Sequence, residues 1–485
     1  MKKKYDLIVI GGGPAGTPVA MEYAGMNPDK TIALVDIKGK LGGECLFDGC
    51  IPSKIMKISA ESISELHRVK EFGIEIKEID YSKVWETIKR RKEEILNKRT
   101  KGAYNKLLTF GNIELLKGKA SFNSKNSILI GEEEIEFERC VIATGSKPFI
   151  PPFKGNGVEK LWTNQIFFEK MELPKSLTII GDGPIAIEFA QILSVLGTKI
   201  ILIGMANSIL NMMDSEFSNI ILEKLKANKN IEIILEATAK EINYNNNEFE
   251  VIYSKDDKDG RVKSERVLVA TGRIANTEGL NLEKAEITLE KTGIHTDKHL
   301  LTTNEKVYSN GDVVANFPKF AHTATYGSHI IAKNLHLEHN FSKVNFDTNT
   351  WVLFSNPNIA IAGITEKEAN ERKIEILTET YDYKIDAKLQ VDGNEIGYLK
   401  YIVDKKNLKI IGIAIALKDA NSVAGEATAI ISKGVTLKEL TDMIHPHPTY
   451  SEAFTVLAKQ MMGKIMIEKM SNPLAKTLLK IERAL

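Results

Sequence analysis

Residues 42–54 read GGECLFDGCIPSK and set Cys45 and Cys50 five positions apart, after a glycine pair and before a Pro-Ser-Lys run. Two such thiols can ligate a metal, form a structural bridge or cycle between dithiol and disulfide. A zinc site needs four ligands, and the nearest further candidate, His67, brings no second pair, so no metal site is expected. In an undistorted helix, residues i and i+5 have Cα atoms about 8.6 Å apart, whereas a disulfide spans roughly 4.4–6.8 Å. The cysteines can bridge only where the backbone leaves the helix, and Gly49 allows that at low energy. A redox-active pair is the better reading. The one other cysteine, Cys140 in the apolar RCVIATG, reads as a small buried hydrophobe. In a reducing compartment a lone close pair is more often catalytic or metal-binding than a staple, and a cytoplasmic location is expected.

The surrounding elements carry nucleotide signatures. YDLIVIGGGPAGTPVAMEYA reads as strand, glycine turn and helix, with Gly11, Gly13 and Gly16 in G-x-G-x-x-G spacing. The first glycine permits the tight turn, the second lets a pyrophosphate approach the backbone, and the third lets the helix lie against the strand. The helix N-terminus then faces the phosphates. Asp36 ends the next strand, TIALVD, where a carboxylate can accept hydrogen bonds from a ribose. A second copy, SLTIIGDGPIAIEFAQILSVLGTKIILIG, repeats the design with Gly181, Gly183 and, in third place, Ala186. Its second strand ends on Gly204 instead of an acid, and the following MANSIL lacks an arginine for a 2′-phosphate. A dinucleotide is expected there, with a lean to NAD that leaves NADP open. Two further segments, CVIATGSKP and VLVATGRIANT, echo each other as buried strands ending in Ala-Thr-Gly, chain returns at the edge of a nucleotide domain. In EKVYSNGDVV, Asp312 follows a strand and a glycine, where it could bind a polyol hydroxyl.

The whole chain accommodates this plan. Its 485 residues exceed one core and suggest three or four domains. A net charge of +1 provides no global field for nucleic acid or an anionic surface. The N-terminal MKKKYDLIVIGGG runs from lysines into glycines after a short apolar stretch, which reads as a first strand and not a signal peptide. No run reaches the roughly 18 apolar residues of a membrane span. The tail, VLAKQMMGKIMIEKMSNPLAKTLLKIERAL, reads as an amphipathic, lysine-bearing helix pair broken near Pro473. Packing on its own dimer is the expected role, with docking to a partner or membrane surface as the alternative.

GGECLFDGCIPSK, the two nucleotide motifs, ATGS, ATGR, SNGD and the C-terminal HPHPTYSEAF occur in the order found in the class I pyridine nucleotide–disulfide oxidoreductases, which the chain resembles over nearly its whole length. Within that family the motifs are most similar to those of the dihydrolipoamide dehydrogenases. The resemblance implies an α/β fold of two Rossmann-like dinucleotide-binding domains, one for FAD and one for NAD(P), plus a C-terminal α+β dimerisation domain. The expected bounds are 1–150 and 274–345 for the two parts of the FAD and central region, 151–273 for NAD(P), and 346–485 for dimerisation. It implies that FAD is held by Gly11, Gly13, Gly16, Asp36, Lys54, Ala120, Thr144, Gly145, Asp312 and Ala321. The nicotinamide nucleotide is then held by Gly181, Gly183, Ala186 and Gly272, with Glu188 paired to Lys54 near the flavin. Cys45 exchanges with substrate, and Cys50 sits against the flavin as a thiolate. Exchange needs a thiolate, and a cysteine near pKa 8.5 is mostly protonated at neutral pH. His447 can take that proton, and Glu452, five residues on, can orient the imidazole and favour its charged form. His445 reads as scaffold. The C-terminal domain of this family reaches across a two-fold axis, so the site is expected to need the homodimer.

Three residues depart from the family pattern. Glu44 adds a negative charge beside Cys45 that would oppose thiolate formation if it pointed inward. Gly204 removes the expected ribose-binding acid, and AHTATYGSHI keeps Ala321 and His322 without the glutamate that commonly follows. No cysteine follows Cys140, which argues against relatives that use a C-terminal cysteine pair, mercuric reductases among them. The expected activity is oxidation of a small dithiol, or of a lipoyl group on a carrier domain, with NAD⁺. The alternatives are a glutathione-type or other NAD(P)H-dependent disulfide or quinone reductase and, from a different class, a non-catalytic flavoprotein subunit.

Overall fold

The computed structural model describes residues 3–75, 78–339 and 341–471. By internal contacts the chain divides into two compact units, Met1–Asn207 with Asn228–Val344, and Ser208–Ala227 with Asn345–Leu485.

In the first unit, the apolar run of β1 (Lys3–Ile10) is buried on both faces from Leu7 to Ile10, the pattern of a central strand in a covered parallel sheet. It pairs in parallel with β2 (Ile32–Asp36) on one side and β6 (Glu133–Ile142) on the other. β3 (Ile113–Lys117) extends the sheet beyond β2, while antiparallel β5 (Ser127–Ile130) and β4 (Ala120–Ser124) extend it beyond β6, which also takes β18 (Val307–Ser309) in parallel. Helix α1 (Thr17–Met26) follows β1, and α2 (Gly43–Phe47), α3 (Cys50–Arg68) and α4 (Tyr81–Leu108) fill the connection from β2 to β3. Cys140 lies in β6 with no exposed surface, and burial pushes its thiol pKa up, as a small hydrophobe requires.

A second parallel sheet has the order β10-β9-β8-β14, formed by Ile231–Ile234, Lys199–Ile203, Ser176–Ile180 and Arg266–Val269. Helix α6 (Pro184–Val195) connects β8 to β9. Phe167 of α5 (Asn164–Lys170) is fully buried and meets the rings of Trp85, Trp162, Phe168 and Phe189 edge-on, so one aromatic knot braces α4, α5 and α6. An antiparallel meander follows, β11 (Thr238–Asn245), β12 (Glu248–Lys255) and β13 (Lys258–Ser264). The segments that follow the two Ala-Thr-Gly echoes meet directly. There β7 (Ser146–Pro148) and β15 (Arg273–Ala275) pair antiparallel, with Ala275 opposite Ser146. A short hairpin, β16 (Leu289–Glu290) and β17 (Gly293–Ile294), and α8 (Ala321–His336) complete the unit.

The second unit is an antiparallel sheet of order β19-β20-β23-β22-β21, formed by Thr350–Leu353, Asn358–Gly363, Ile410–Leu417, Tyr398–Asp404 and Ile376–Asp382. With it go α7 (Ser215–Lys226), α9 (Glu366–Glu371), α10 (Ala387–Val391), α11 (Ala420–Lys433), α12 (Leu437–Thr441) and α13 (Glu452–Ser471). Tyr383, Tyr401, Phe454 and Leu457 lie in its core. Segment 208–227, inside the 151–273 span expected for NAD(P), clusters here instead, and Lys400 shows why. Burial would lower the pKa of this 5 % exposed ammonium, but hydrogen bonds to Glu216 and Glu366 and the charge of Asp214 overcome that and hold it raised. Of the expected tail, α13 buries Ala453, Phe454, Leu457, Ala458 and Met461 near its start and exposes Met466, Ile467 and Met470 near its end. Pro473 and the second tail helix lie outside the described residues.

Candidate active site

The glycine pair ahead of the cysteines has a steric origin. Gly42 and Gly43 adopt φ of 118° and 54°, and a Cβ on Gly43 would sit 2.7 Å from the Cα of Gly13. The Gly42 N–H donates to the Gly12 carbonyl at 2.8 Å, which ties the cysteine-bearing helix to the dinucleotide loop. Helix α2 ends after Phe47, the chain leaves helical geometry at Asp48 and Gly49, and α3 starts at Cys50. This is the break that the five-residue spacing requires.

Both cysteines are free thiols within hydrogen-bonding reach of each other, Cys45 half-buried and Cys50 exposed. Their proton affinities diverge. The hydrogen bond from Cys45 pulls Cys50 down to about 7, against the opposing effect of burial and with help from the Lys54 ammonium. The same bond, and then burial, push Cys45 up. Cys50 also opens α3, where the helix dipole favours an anion. The pair is thus polarised, with the proton on Cys45 and the negative charge on Cys50.

Lys54 Nζ lies 2.8 Å from Glu188 Oε2, which joins α3 to α6 in the arrangement the resemblance implies. Glu44 does not point at the cysteine pair. It accepts from Asn164 Nδ2 at 2.8 Å and is ion-paired with Arg273, so the condition under which its charge would oppose a thiolate is not met. Arg273 also donates from Nε to Ser146 Oγ at 2.8 Å, and Ser146 Oγ donates to Asp312 Oδ2 at 2.6 Å. One guanidinium thereby fixes the cysteine helix, the β7–β15 ribbon and Asp312 together. Asn276 locks the same ribbon: its Nδ2 donates to Thr144 O at 3.0 Å, and its backbone N–H to Gly145 O at 2.9 Å.

The first glycine loop fits FAD. A Cβ on Gly11 would lie 2.1 Å from the Ala143 carbonyl oxygen and one on Gly16 2.0 Å from that of Gly11, whereas at Gly13 the nearest atom is Gly43 Cα at 3.6 Å. Two glycines are therefore demanded by packing, and the middle one leaves its backbone open to a pyrophosphate. Asp36 accepts from the backbone N–H groups of Gly12, Lys38 and Lys40, which aim its carboxylate at the loop. Asn310 donates to Ala15 O at 3.1 Å and Ala324 O at 2.8 Å, fastening the loop to α8, which Ala321 begins. Ala120 is buried at the start of β4, opposite Ile130. In the second loop Gly181 has φ 136° against Ala270, while Gly183 has no atom within 4 Å of a Cβ. Ala186 is buried, and a Cβ on Gly272 would meet no atom within 4 Å, so both the close-packed and the open positions suit a dinucleotide.

In the second unit, His447 is 70 % exposed, and its Nδ1 lies 3.0 Å from Glu452 Oε1. The Thr449 N–H donates to Glu452, and with the His447 contact it holds the carboxyl pKa below its ordinary value. An ionised Glu452 favours the tautomer with the proton on Nδ1, in which Nε2 is the nitrogen without a proton. His445 sits between Glu426 and Thr455, at 2.6 and 2.9 Å.

Residues 5–327 match the pyridine nucleotide-disulphide oxidoreductase family, and residues 350–458 match the dimerisation domain of the same family. The chain belongs to this family, in class I. It is 30% identical over 471 residues to a dihydrolipoyl dehydrogenase of Buchnera aphidicola, covering 95% of this chain and 96% of that one. A mercuric reductase of Staphylococcus aureus is 30% identical over 458 residues, covering 94% and 82%. Among solved structures, the Cu(II) complex of the HOCl-induced flavoprotein disulfide reductase RclA from Escherichia coli superposes with a TM-score of 0.81 at 25% identity, over 95% of this chain and 100% of that one. Family members are FAD-dependent disulfide oxidoreductases that use NAD(P), and the dimerisation domain supports a homodimer. Among the described residues no helix is long and apolar enough to cross a membrane.

Sequence reasoning passed over Arg273, Asn164, Asn276 and Asp182. The arginine after the second Ala-Thr-Gly was the available signal for the first; its partner Glu44 lies 229 residues away in sequence.

Proposed function

We propose that this chain is a dihydrolipoyl dehydrogenase-like enzyme that oxidises a small dithiol, free or as a lipoyl group on a carrier, with NAD⁺. The observation that carries it is the polarised pair, in which Cys45 keeps a proton that a base must remove while Cys50 holds the charge. Starting from the Cys45–Cys50 disulfide, one substrate thiolate attacks Cys45 and displaces Cys50 as a thiolate. The second substrate thiol then attacks the mixed disulfide, releases the oxidised substrate and leaves Cys45 reduced. His447 Nε2 takes the substrate proton at the first step, and Glu452 stabilises the resulting imidazolium. FAD, which Gly11, Gly13, Gly16, Asp36 and Asp312 would hold, would supply the two-electron chemistry that joins re-formation of the Cys45–Cys50 disulfide to reduction of NAD⁺ to NADH, with one proton released. Lys54, held by Glu188, fixes a positive charge next to Cys50, and Arg273 pairs with the Glu44 carboxylate.

On this reading residues 1–150 and 274–345 serve FAD, 151–273 the nicotinamide nucleotide and 346–485 the dimer, in which His447 and Glu452 of one subunit serve Cys45 of the other. The cysteine usage fits a cytosolic enzyme. A reductase that runs from NAD(P)H to a disulfide or quinone is the second reading, favoured by the likeness to a flavoprotein disulfide reductase. Steady-state kcat/KM for dihydrolipoamide with NAD⁺, set against NADH or NADPH with lipoamide, glutathione disulfide and a quinone, tests the proposal. A higher value for any of the reductive pairs would overturn it.

A further inference from the structure

The two dinucleotide units can be compared position by position. In the first, Ile10 pairs with Val35 and the Gly11 N–H donates to Val35 O; in the second, Ile180 pairs with Ile203 and the Gly181 N–H donates to Ile203 O. This register makes Asp36 and Gly204 equivalent, and likewise Gly12 and Asp182. In the flavin unit a Cβ on Gly12 would meet Asp36 Oδ2 at 3.1 Å and Cβ at 3.3 Å. In the other unit a Cβ on Gly204 would meet Asp182 Cβ at 3.1 Å and Oδ2 at 3.2 Å. The middle loop residue and the strand-end residue therefore face each other in both, across a gap that holds one side chain, and the second dinucleotide motif has exchanged which partner carries it.

The carboxylates also reach the same place. Asp36 accepts from the backbone N–H two residues past its strand end, that of Lys38, at 2.9 Å. Asp182 accepts from the equivalent N–H, that of Ala206, at 3.3 Å. We propose that Asp182 replaces the missing strand-end acid. From the glycine loop it accepts hydrogen bonds from the adenosine ribose hydroxyls of NAD and repels the 2′-phosphate of NADP, so the chain is NAD-selective in spite of Gly204. This rests on the nicotinamide nucleotide occupying the second dinucleotide loop. It also means that Gly204→Glu does not supply a missing acid, because the new side chain must enter the gap that Asp182 fills, with its Cβ 3.1 Å from Asp182 Cβ and 3.2 Å from Asp182 Oδ2.

The test is calorimetric titration of the FAD-loaded dimer with NAD⁺ and NADP⁺. Wild type should bind NAD⁺ the more tightly. Asp182→Asn keeps the shape and removes the charge, and should narrow the NADP⁺/NAD⁺ ratio of Kd by about tenfold or more, as loss of a charged hydrogen bond does. Gly204→Glu alone should weaken both nucleotides, and Asp182→Gly combined with Gly204→Asp, which copies the flavin unit, should restore the NAD⁺ preference. An Asp182→Asn ratio equal to wild type, or tighter NAD⁺ binding by Gly204→Glu alone, would overturn the assignment of Asp182. Failure of wild type to bind either nucleotide would instead overturn the placement of the nicotinamide site. Flavin content and dimer mass of each variant show that it has folded.

Discussion

The division of the proton between Cys45 and Cys50 can be measured directly. The thiol of Cys50 is drawn from an ordinary 9.0 to about 7, chiefly by the hydrogen bond from Cys45. A thiol of pKa 9 is about one-tenth thiolate at pH 8; at pKa 7 it is about nine-tenths thiolate at pH 8 and half at pH 7. Because the reactive form is the deprotonated one, it is present above the midpoint and lost as pH falls through about 7. Cys45→Ala removes the hydrogen bond and the possibility of a disulfide, so Cys50 stays reduced and its midpoint should climb toward 9. Lys54→Met removes the nearby positive charge and should move the midpoint in the same direction by less. The assay is the long-wavelength charge-transfer absorbance of the FAD-loaded protein from pH 5.5 to 9.5, after anaerobic two-electron reduction for wild type and Lys54→Met, and without reductant for Cys45→Ala. A wild-type midpoint near 9, or a Cys45→Ala midpoint unchanged from wild type, would refute the reasoning. A band that survives Cys50→Ser would refute the identity of the thiolate.

Cys45→Ala and His447→Ala homodimers should each be nearly inactive in lipoamide turnover, yet unfolding, mixing in equal amounts and reassembly should return about a quarter of wild-type activity, since random pairing makes half the dimers mixed with one intact site each. No recovery from verified mixed dimers would place the histidine and cysteine of a site in one subunit. Arg273→Gln strips Glu44 of its ion pair at a site where both side chains are about four-fifths covered, and should lower unfolding free energy in a urea titration by about 3 kcal/mol. Glu44→Gln, which keeps hydrogen-bonding groups toward Asn164 and Arg273, should lose less than Arg273→Gln, and equal losses would count against the ion pair. Phe167→Ala opens a cavity at the centre of four other aromatic rings and should lower stability by about 3–5 kcal/mol in the same titration; a loss below about 1 kcal/mol would show that the knot collapses around the gap.

What could be read from the sequence is what a few neighbouring residues settle among themselves. A buried parallel strand needs an unbroken apolar run, a tight turn at its end needs glycine, and the next strand must return within about twenty residues. So β1, its glycine loop, Asp36 and the second copy at Gly181 were legible, as were the break at Gly49 and the burial of Cys140. The order of these motifs then named the family. The tertiary structure decided which distant side chains share a space. Arg273 reaches Glu44 only because the two Ala-Thr-Gly returns pair as β7 and β15, and no local rule says that they should. Glu44 read as a hazard to the thiolate because its direction is invisible in a string of letters. Gly204 read as a missing acid for the same reason: spacing along the strand locates the residue, whereas the carboxylate that fills its place comes from Asp182, 22 positions earlier, across a gap that exists only once β8 and β9 lie side by side. Backbone conformation and burial are local or periodic quantities, while charge pairing depends on three-dimensional proximity, which the folded chain alone provides.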